Sequence, residues 1–436
     1  MNVNGPPPHE TQRQADTTTR FSLATNFDPE LPSKVAPFGV FELYGKLPYD
    51  VVGGGRAGYM LPRVGRRQLA QHVEACRKAG LQFNYLLNAL CLNNEEYTRR
   101  GQRRVRKLLD WIGEIGVRSV TVANPFLLRF IKRHYPEFEV RVSVFTAVND
   151  IRRVRYWEDL GADRITLDSI QINRDFDLLA RIREHVTVRL ELLASNSCIQ
   201  NCPMQPYHPA FLAHASQAGR QHRMIVDWCL MWCSYMKVKD PAHYLRADWI
   251  RPEDLKYYEA IGYHEFKLTE RNAPTEILVL RAKAYWARYY DGNLLDLVQP
   301  YGYPVEGEVQ RRGMGWILRH FARPGGLRMR DLPQLYRLAR LRGFLGGGEA
   351  PVYVDNRKLD GFIERFFKER CRDRDCDECG YCAAWAERVV KINPEWQKAC
   401  LKMYRWFFER YEGVHPTIDV GHRATGVGFW HRGSGG

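Results

Sequence analysis

"LQFNYLLNALCLNNEEYTRRGQRRVRKLLDWIGEIGVRSVTVAN" (residues 81–124) contains one complete unit of a fold. Its first part, "LQFNYLLNA" (81–89), is an aromatic and aliphatic run of strand length. Its second, "EEYTRRGQRRVRKLLDWIGEIG" (95–116), spaces apolar residues along one helix face and stops at a glycine. Its third, "VRSVTVAN" (117–124), is β-branched again. A strand, an amphipathic helix and a second strand predict a β-α-β unit with parallel strands.

The pattern repeats outward in both directions. "RFSLATN" (20–26), "GVFELYG" (39–45), "VRVSVFTAV" (140–148), "ADRITLD" (162–168), "VTVRLELLA" (186–194) and "EFKLTE" (265–270) read as further strands, and "RRQLAQHVEACRKAG" (66–80) as another helix. Some eight strands within about 270 residues, mostly followed by helices, predict an α/β protein with a TIM-type (β/α)8 barrel rather than an open doubly wound sheet. Such barrels place their active sites where the strands end, which makes Asn88, Asn124, Asp168 and Ser195 candidates by position. "VVGGGRAG" (51–58) lacks the lysine and serine of a P-loop and does not match the dinucleotide fingerprint, so it is expected to be a flexible loop.

At 436 residues and 45% hydrophobic content the chain can bury a large domain and an appendage. We expect a disordered tail over 1–20, the barrel with a cysteine-ligated cluster over 21–304, a basic helical segment over 305–345, a smaller helical cysteine-rich module over 346–420 and a tail over 421–436. The N-terminal residues carry no apolar leader and no run of about 18 apolar residues occurs, so a cytoplasmic protein without a membrane span is expected. The net charge of +15 is mostly arginine, concentrated in "TRRGQRRVRK" (98–107) and in residues 310–344. That surplus suits RNA, an acidic peptide or another anionic substrate.

Eleven cysteines, an odd number, do not form a disulfide framework in a reducing compartment. Eight fall into two groups. Cys198 and Cys202 in "SNSCIQNCP" share a C-x3-C spacing with Cys229 and Cys233 in "DWCLMWCSY", and "CRDRDCDECGYC" holds Cys371, Cys376, Cys379 and Cys382. Four soft thiolates suit tetrahedral zinc or an iron-sulfur cluster, and the wide spacing of the first group favours iron-sulfur. The second group resembles ferredoxin-type ligation and equally suits zinc. A radical S-adenosylmethionine motif is excluded, because Gln205 stands where its third cysteine belongs. Trp228, Trp232 and Tyr235 are expected to shield the first site from water, and the isolated Cys76 and Cys91 to be buried small apolar residues.

"RPEDLKYYEAIGYHEFKLTERNAPTEILVLRAKAYWARYYDG" (251–292), through Phe266, Lys267, Arg271, Pro274, Glu276, Tyr285 and the Asp291-Gly292 end, resembles the collagenase-like peptidase family. That family also contains hydroxylation proteins of ubiquinone biosynthesis and of RNA. "LLNALCLNNEEY" and "WEDLGADRITLD" extend the likeness over roughly residues 80–295. The resemblance implies a barrel and, in the hydroxylase branch, a 4Fe-4S cluster at Cys198, Cys202, Cys229 and Cys233, with a paired subunit or electron donor. A second iron-sulfur cluster, or zinc, is expected at Cys371, Cys376, Cys379 and Cys382. Neither H-E-x-x-H nor G-x-S-x-G occurs. The leading expectation is therefore an iron-sulfur oxidoreductase performing oxygen-independent hydroxylation of an aromatic, RNA or peptide substrate. A collagenase-like peptidase and an electron-transfer or scaffold subunit are the alternatives. Asp168, Glu191 and His208 are the catalytic candidates, and Asn88, Asn124, Lys267 and Arg271 the substrate-binding ones.

Overall fold

The computed structural model describes residues 18–58, 61–219, 226–271, 273–298, 329–341 and 350–412. Eight parallel strands close into a barrel in sequence order: β1 Arg20–Ala24, β2 Val40–Gly45, β3 Gln82–Leu87, β4 Ser119–Val122, β5 Glu139–Val142, β6 Arg164–Thr166, β7 Arg189–Leu193 and β8 Glu265–Leu268. Closure is made by β8 pairing with β1, with Ser22 opposite Lys267. Every predicted strand segment overlaps one of these strands. The segment 140–148 is strand only at its start: the Ser143 hydroxyl accepts from Phe145 N, a 3-10 turn follows over Val144–Thr146, and Ala147 takes a φ of 49°.

Alternation along each strand sorts side chains to two faces. Phe21, Leu23, Leu43, Phe83, Val120, Val140, Ile165, Leu190 and Phe266 belong to the buried apolar core. The other face looks into the lumen and is polar. Arg141 on β5 reaches Glu42 on β2 at 2.8 Å and Glu191 on β7 at 3.0 Å, contacts between non-neighbouring strands that only the lumen permits. Ser22 and Thr166 each donate to Glu191 at 2.7 Å. One layer below, Glu265 is held by Arg20 at 2.6 Å and Arg164 at 2.7 Å. Most barrels of this type fill the lumen with branched aliphatic residues. Here a fully buried ion network does so.

The C-terminal part is mainly helical. β9 Val352–Val354 and β10 Val390–Ile392 form an antiparallel ribbon. The helix Pro394–Glu412 packs on the helices Trp228–Lys239 and Leu332–Leu341. Trp228 and Trp232 stack at 5.5 Å and meet Phe408 of that last helix, so these rings dock the C-terminal helix. The expected tail over 421–436 and most of the basic segment 305–345 lie outside the described residues, as do residues 1–17 of the expected N-terminal tail. Cys76 is buried, whereas Cys91 is exposed, contrary to expectation, on the loop after β3. No helix among the described residues is long and apolar enough to cross a membrane.

Candidate active site at the barrel mouth

The residues following the strands build the mouth. After β2, Asp50 accepts from Val52 N and Gly53 N at 2.9 and 2.6 Å and is bridged by Lys46 at 2.9 Å. This turns 51–58 back over the lumen. Gly54 N donates to Ser216 Oγ at 2.8 Å and Gly55 N to Asn88 Oδ1 at 3.1 Å. The glycine run is thus a pinned cover. Asn88 also donates to Ser143 at 3.1 Å, so both ends of its amide are engaged by the protein. Asn124 caps the helix Pro125–His134, accepting from Leu127 N at 3.3 Å.

Lys267 Nζ lies 4.0 Å from the centre of the Tyr44 ring and 3.9 Å from Glu191. Burial lowers its pKa to about 8 against the opposing charge of Glu191. Burial alone would raise Glu191, but the charges of Arg141, Lys267 and Arg164 and the Ser22 hydrogen bond together outweigh it and hold this carboxyl at about 2. Glu191 is therefore a fixed anion of the network. Arg271 is buried beside these groups, and Arg56 bridges its neighbour Glu270. His208 Nε2 lies 2.9 Å from Asp227, which caps the helix Trp228–Lys239.

Among the described residues eleven carboxyl side chains are buried, and nine of them lie within ion-pairing distance of an arginine, lysine or histidine. Asp168 and Asp248 are the two exceptions. Asp168, at the end of β6, accepts from Gln205 Nε2 at 2.8 Å and Ile170 N at 3.0 Å through Oδ1, and its buried Oδ2 meets no hydrogen-bond donor. Burial pushes its pKa to about 6, with the charge of Asp248 adding to the rise. Burial raises Asp248 as well, although Asn196 donates to it at 2.8 Å. Two neighbouring buried carboxyls outside ion-pairing distance of a cation resist simultaneous ionisation, although the Lys237 charge favours the ionised form of Asp248, and such an arrangement separates an acid from a base. Gln205 is in turn held at 3.1 Å by the exposed Gln171. Sequence position pointed to Asp168. Asp248, 80 residues on, carries no local signal.

The cysteine expectations are corrected here. Among the described residues no group of three or more His, Cys, Asp or Glu side chains is placed to hold a metal ion. Neither the 4Fe-4S assignment at Cys198, Cys202, Cys229 and Cys233 nor the second cluster or zinc at Cys371, Cys376, Cys379 and Cys382 stands. The first four sulfurs are neighbours, since the Cys233 charge adds to the rise at Cys198, Cys202 and Cys229. They do not converge: Cys233 Sγ turns back to its own helix at Leu230 O, 3.5 Å away, and burial pushes Cys229 up to about 12. In the second group Cys371 sits in a 3-10 turn, Cys376 and Cys379 end a one-turn helix, and Cys382 follows Gly380 on the next helix. Burial raises Cys371 and Cys376, and pushes Cys382 up to about 11.

Fold and site define a (β/α)8-barrel protein with a charged lumen and two neighbouring buried carboxyls, one at the end of β6 and one on the connection from β7 to β8. Residues 61–221 match the sequence profile described as "Peptidase family U32". The chain is 29% identical over 353 residues, 81% of its length and 90% of the relative's, to "Uncharacterized protease MJ1657" of Methanocaldococcus jannaschii. A 25% identical stretch of 100 residues, 23% of this chain and 22% of the relative, matches "tRNA hydroxylation protein P1" of Bacillus subtilis. A solved structure titled "The Structure of the U32 Peptidase Mk0906" aligns with 58% of this chain and 93% of its own at 20% identity, with a TM-score of 0.45. The profile and the long archaeal match are likenesses to peptidase family U32 proteins. With the absence of a converging ligand group among the described residues, they also overturn the expectation of an iron-sulfur oxidoreductase or hydroxylase.

Proposed function

We propose that the protein hydrolyses peptide bonds at the barrel mouth, with Asp168 as general base and Asp248 as general acid. The observation that carries this reading is the neighbouring buried carboxyls of Asp168 and Asp248, neither within ion-pairing distance of a cation among the described residues, with Asp168 Oδ2 meeting no donor there. Ionised Asp168 takes a proton from a water as that water attacks the peptide carbonyl carbon. Protonated Asp248 gives its proton to the leaving nitrogen as the C–N bond breaks, leaving a new carboxylic acid and a new amine. The family likeness supports the reaction class, and the relative of 29% identity bears the word protease in its description. The charge of +15 favours acidic polypeptides as substrates, and Lys267 and Arg271 at the end of β8 supply cations at the mouth.

The full chain incubated with a mixture of acidic peptides in water enriched in oxygen-18, without reductant, should release products carrying one labelled oxygen in each new carboxyl group. Asp168→Asn should release none. Absence of cleavage by the wild type, or equal cleavage by the variant, rejects the assignment.

A further inference from the structure

Arg174 lies at the other end of the segment that begins with Asp168, in the seam between the barrel and the C-terminal module. It is 2% exposed. Its Nη1 donates to Leu245 O at 2.7 Å, whereas Nε and Nη2 meet no acceptor among the described residues. Those two atoms form the edge of a guanidinium that grips a carboxylate with two parallel bonds. The same chain uses that edge twice elsewhere. Arg77 holds Glu74 through Nε and Nη2 at 2.8 and 2.7 Å, and Arg251 holds Asp254 through the same atoms at 2.9 Å each.

Among the described residues no carboxylate fills this role for Arg174. Asp254, the carboxylate whose ionisation its charge favours, is taken by Arg251. Asp175 turns to Arg372 and Arg370 of the C-terminal module. The faces of the guanidinium are covered instead by Trp249, Phe362 and Phe366, with ring centres 4.5, 5.1 and 5.2 Å away. Aromatic faces stabilise the cation, and its buried edge is left without an acceptor among the described residues. Beside it lie Cys371 and Cys382, partly exposed thiols that feel its charge and can donate only weakly.

We propose that Arg174 and its aromatic walls form a binding site for a single carboxylate group, distinct from the carboxyl pair at the mouth. A planar monoanion matches the edge in charge and shape, because one buried guanidinium neutralises one negative charge. A phosphate dianion would leave an uncompensated charge in an aromatic enclosure. The carboxylate comes from the C-terminus of a peptide or from a small free acid.

The full-length protein is titrated by calorimetry, with tryptophan fluorescence in parallel, using N-acetylglycine, its amide, acetate and inorganic phosphate at constant ionic strength. N-acetylglycine should bind saturably at one site per chain and perturb the emission, since Trp249 lies under the guanidinium. Its amide should not bind. Arg174→Gln should weaken binding by at least about tenfold, and so should Arg174→Lys, which keeps the charge but loses the paired edge. Should Arg174→Gln not fold, Arg174→Lys carries the comparison. N-acetylglycine binding more tightly than acetate identifies a peptide end, and equal affinity a small acid. Binding of phosphate in place of the carboxylates, binding of the amide, or unchanged affinity in both variants overturns the proposal. Asp168→Asn should keep N-acetylglycine binding intact, so failure of the hydrolase reading and failure of this one are told apart.

Discussion

Gln205 donates its side-chain amide to Asp168 Oδ1 at 2.8 Å, and this contact favours the ionised form of a carboxyl that burial otherwise keeps neutral. Removing it should raise the Asp168 pKa further. In Gln205→Leu the acidic limb of the pH-rate profile for peptide cleavage should move upward from about 6, by on the order of half a unit to one unit. A lower rate with an unmoved limb would assign Gln205 to packing alone.

Asp168 also predicts a stability effect with a definite sign. Its pKa rises from 3.8 when unfolded to about 6 when folded, so between these values the folded chain holds a proton that the unfolded chain has released. Stability therefore falls as pH rises through that window, by on the order of 3 kcal/mol. Asp168→Asn stays neutral throughout. Its melting temperature should exceed that of the wild type at pH 7 by more than at pH 4, and a pH-independent difference would contradict the burial argument.

The lumen network behaves in the opposite direction. Glu191 is held at about 2, so its contribution is complete above 4.5 and is lost as pH falls toward 2. Arg141→Met leaves Glu42 and Glu191 buried without their cation and should cost about 3–5 kcal/mol in urea unfolding at pH 7. That deficit should shrink below pH 4 as the carboxyls take up protons.

Gly53 has a φ of 84°, and a Cβ there would lie 2.7 Å from Ala213 O, a backbone atom. Gly53→Ala should destabilise the chain by about 1–3 kcal/mol and disturb the cover of the mouth. Peptide cleavage and the unfolding midpoint should both change. Wild-type values for both would mean that the cover shifts freely.

Part of this site was legible in the chain. Asp168 stood at a strand end. Arg141 inside "VRV" and Glu191 inside "RLEL" were charged residues interrupting apolar strands, a sign of side chains facing a polar lumen. The histidine and asparagine candidates behaved otherwise: Asn124 caps a helix, Asn88 pins the glycine cover and His208 pairs with Asp227. Helix-capping and loop-pinning residues have the same types as substrate-binding ones, and type alone does not separate them. The cysteine spacings misled for a related reason. Spacing fixes how far apart two sulfurs are along the chain, whereas ligation needs several of them to converge. Cys233, turned onto its own helix, does not aim at the others.

By itself the sequence determined the eight strands, their order and the barrel, because alternating and helical periodicities are local properties and short connections leave parallel closure as the consistent topology. The tertiary structure alone decided which ionisable groups are paired. Arg141 meets Glu42 from 99 residues away, Arg251 lies against Asp360 of the C-terminal module, and among the described residues Asp168 and Asp248 are left without an ion-pair partner. Charge compensation depends on distance and burial, and these exist only once strands remote in sequence face one lumen.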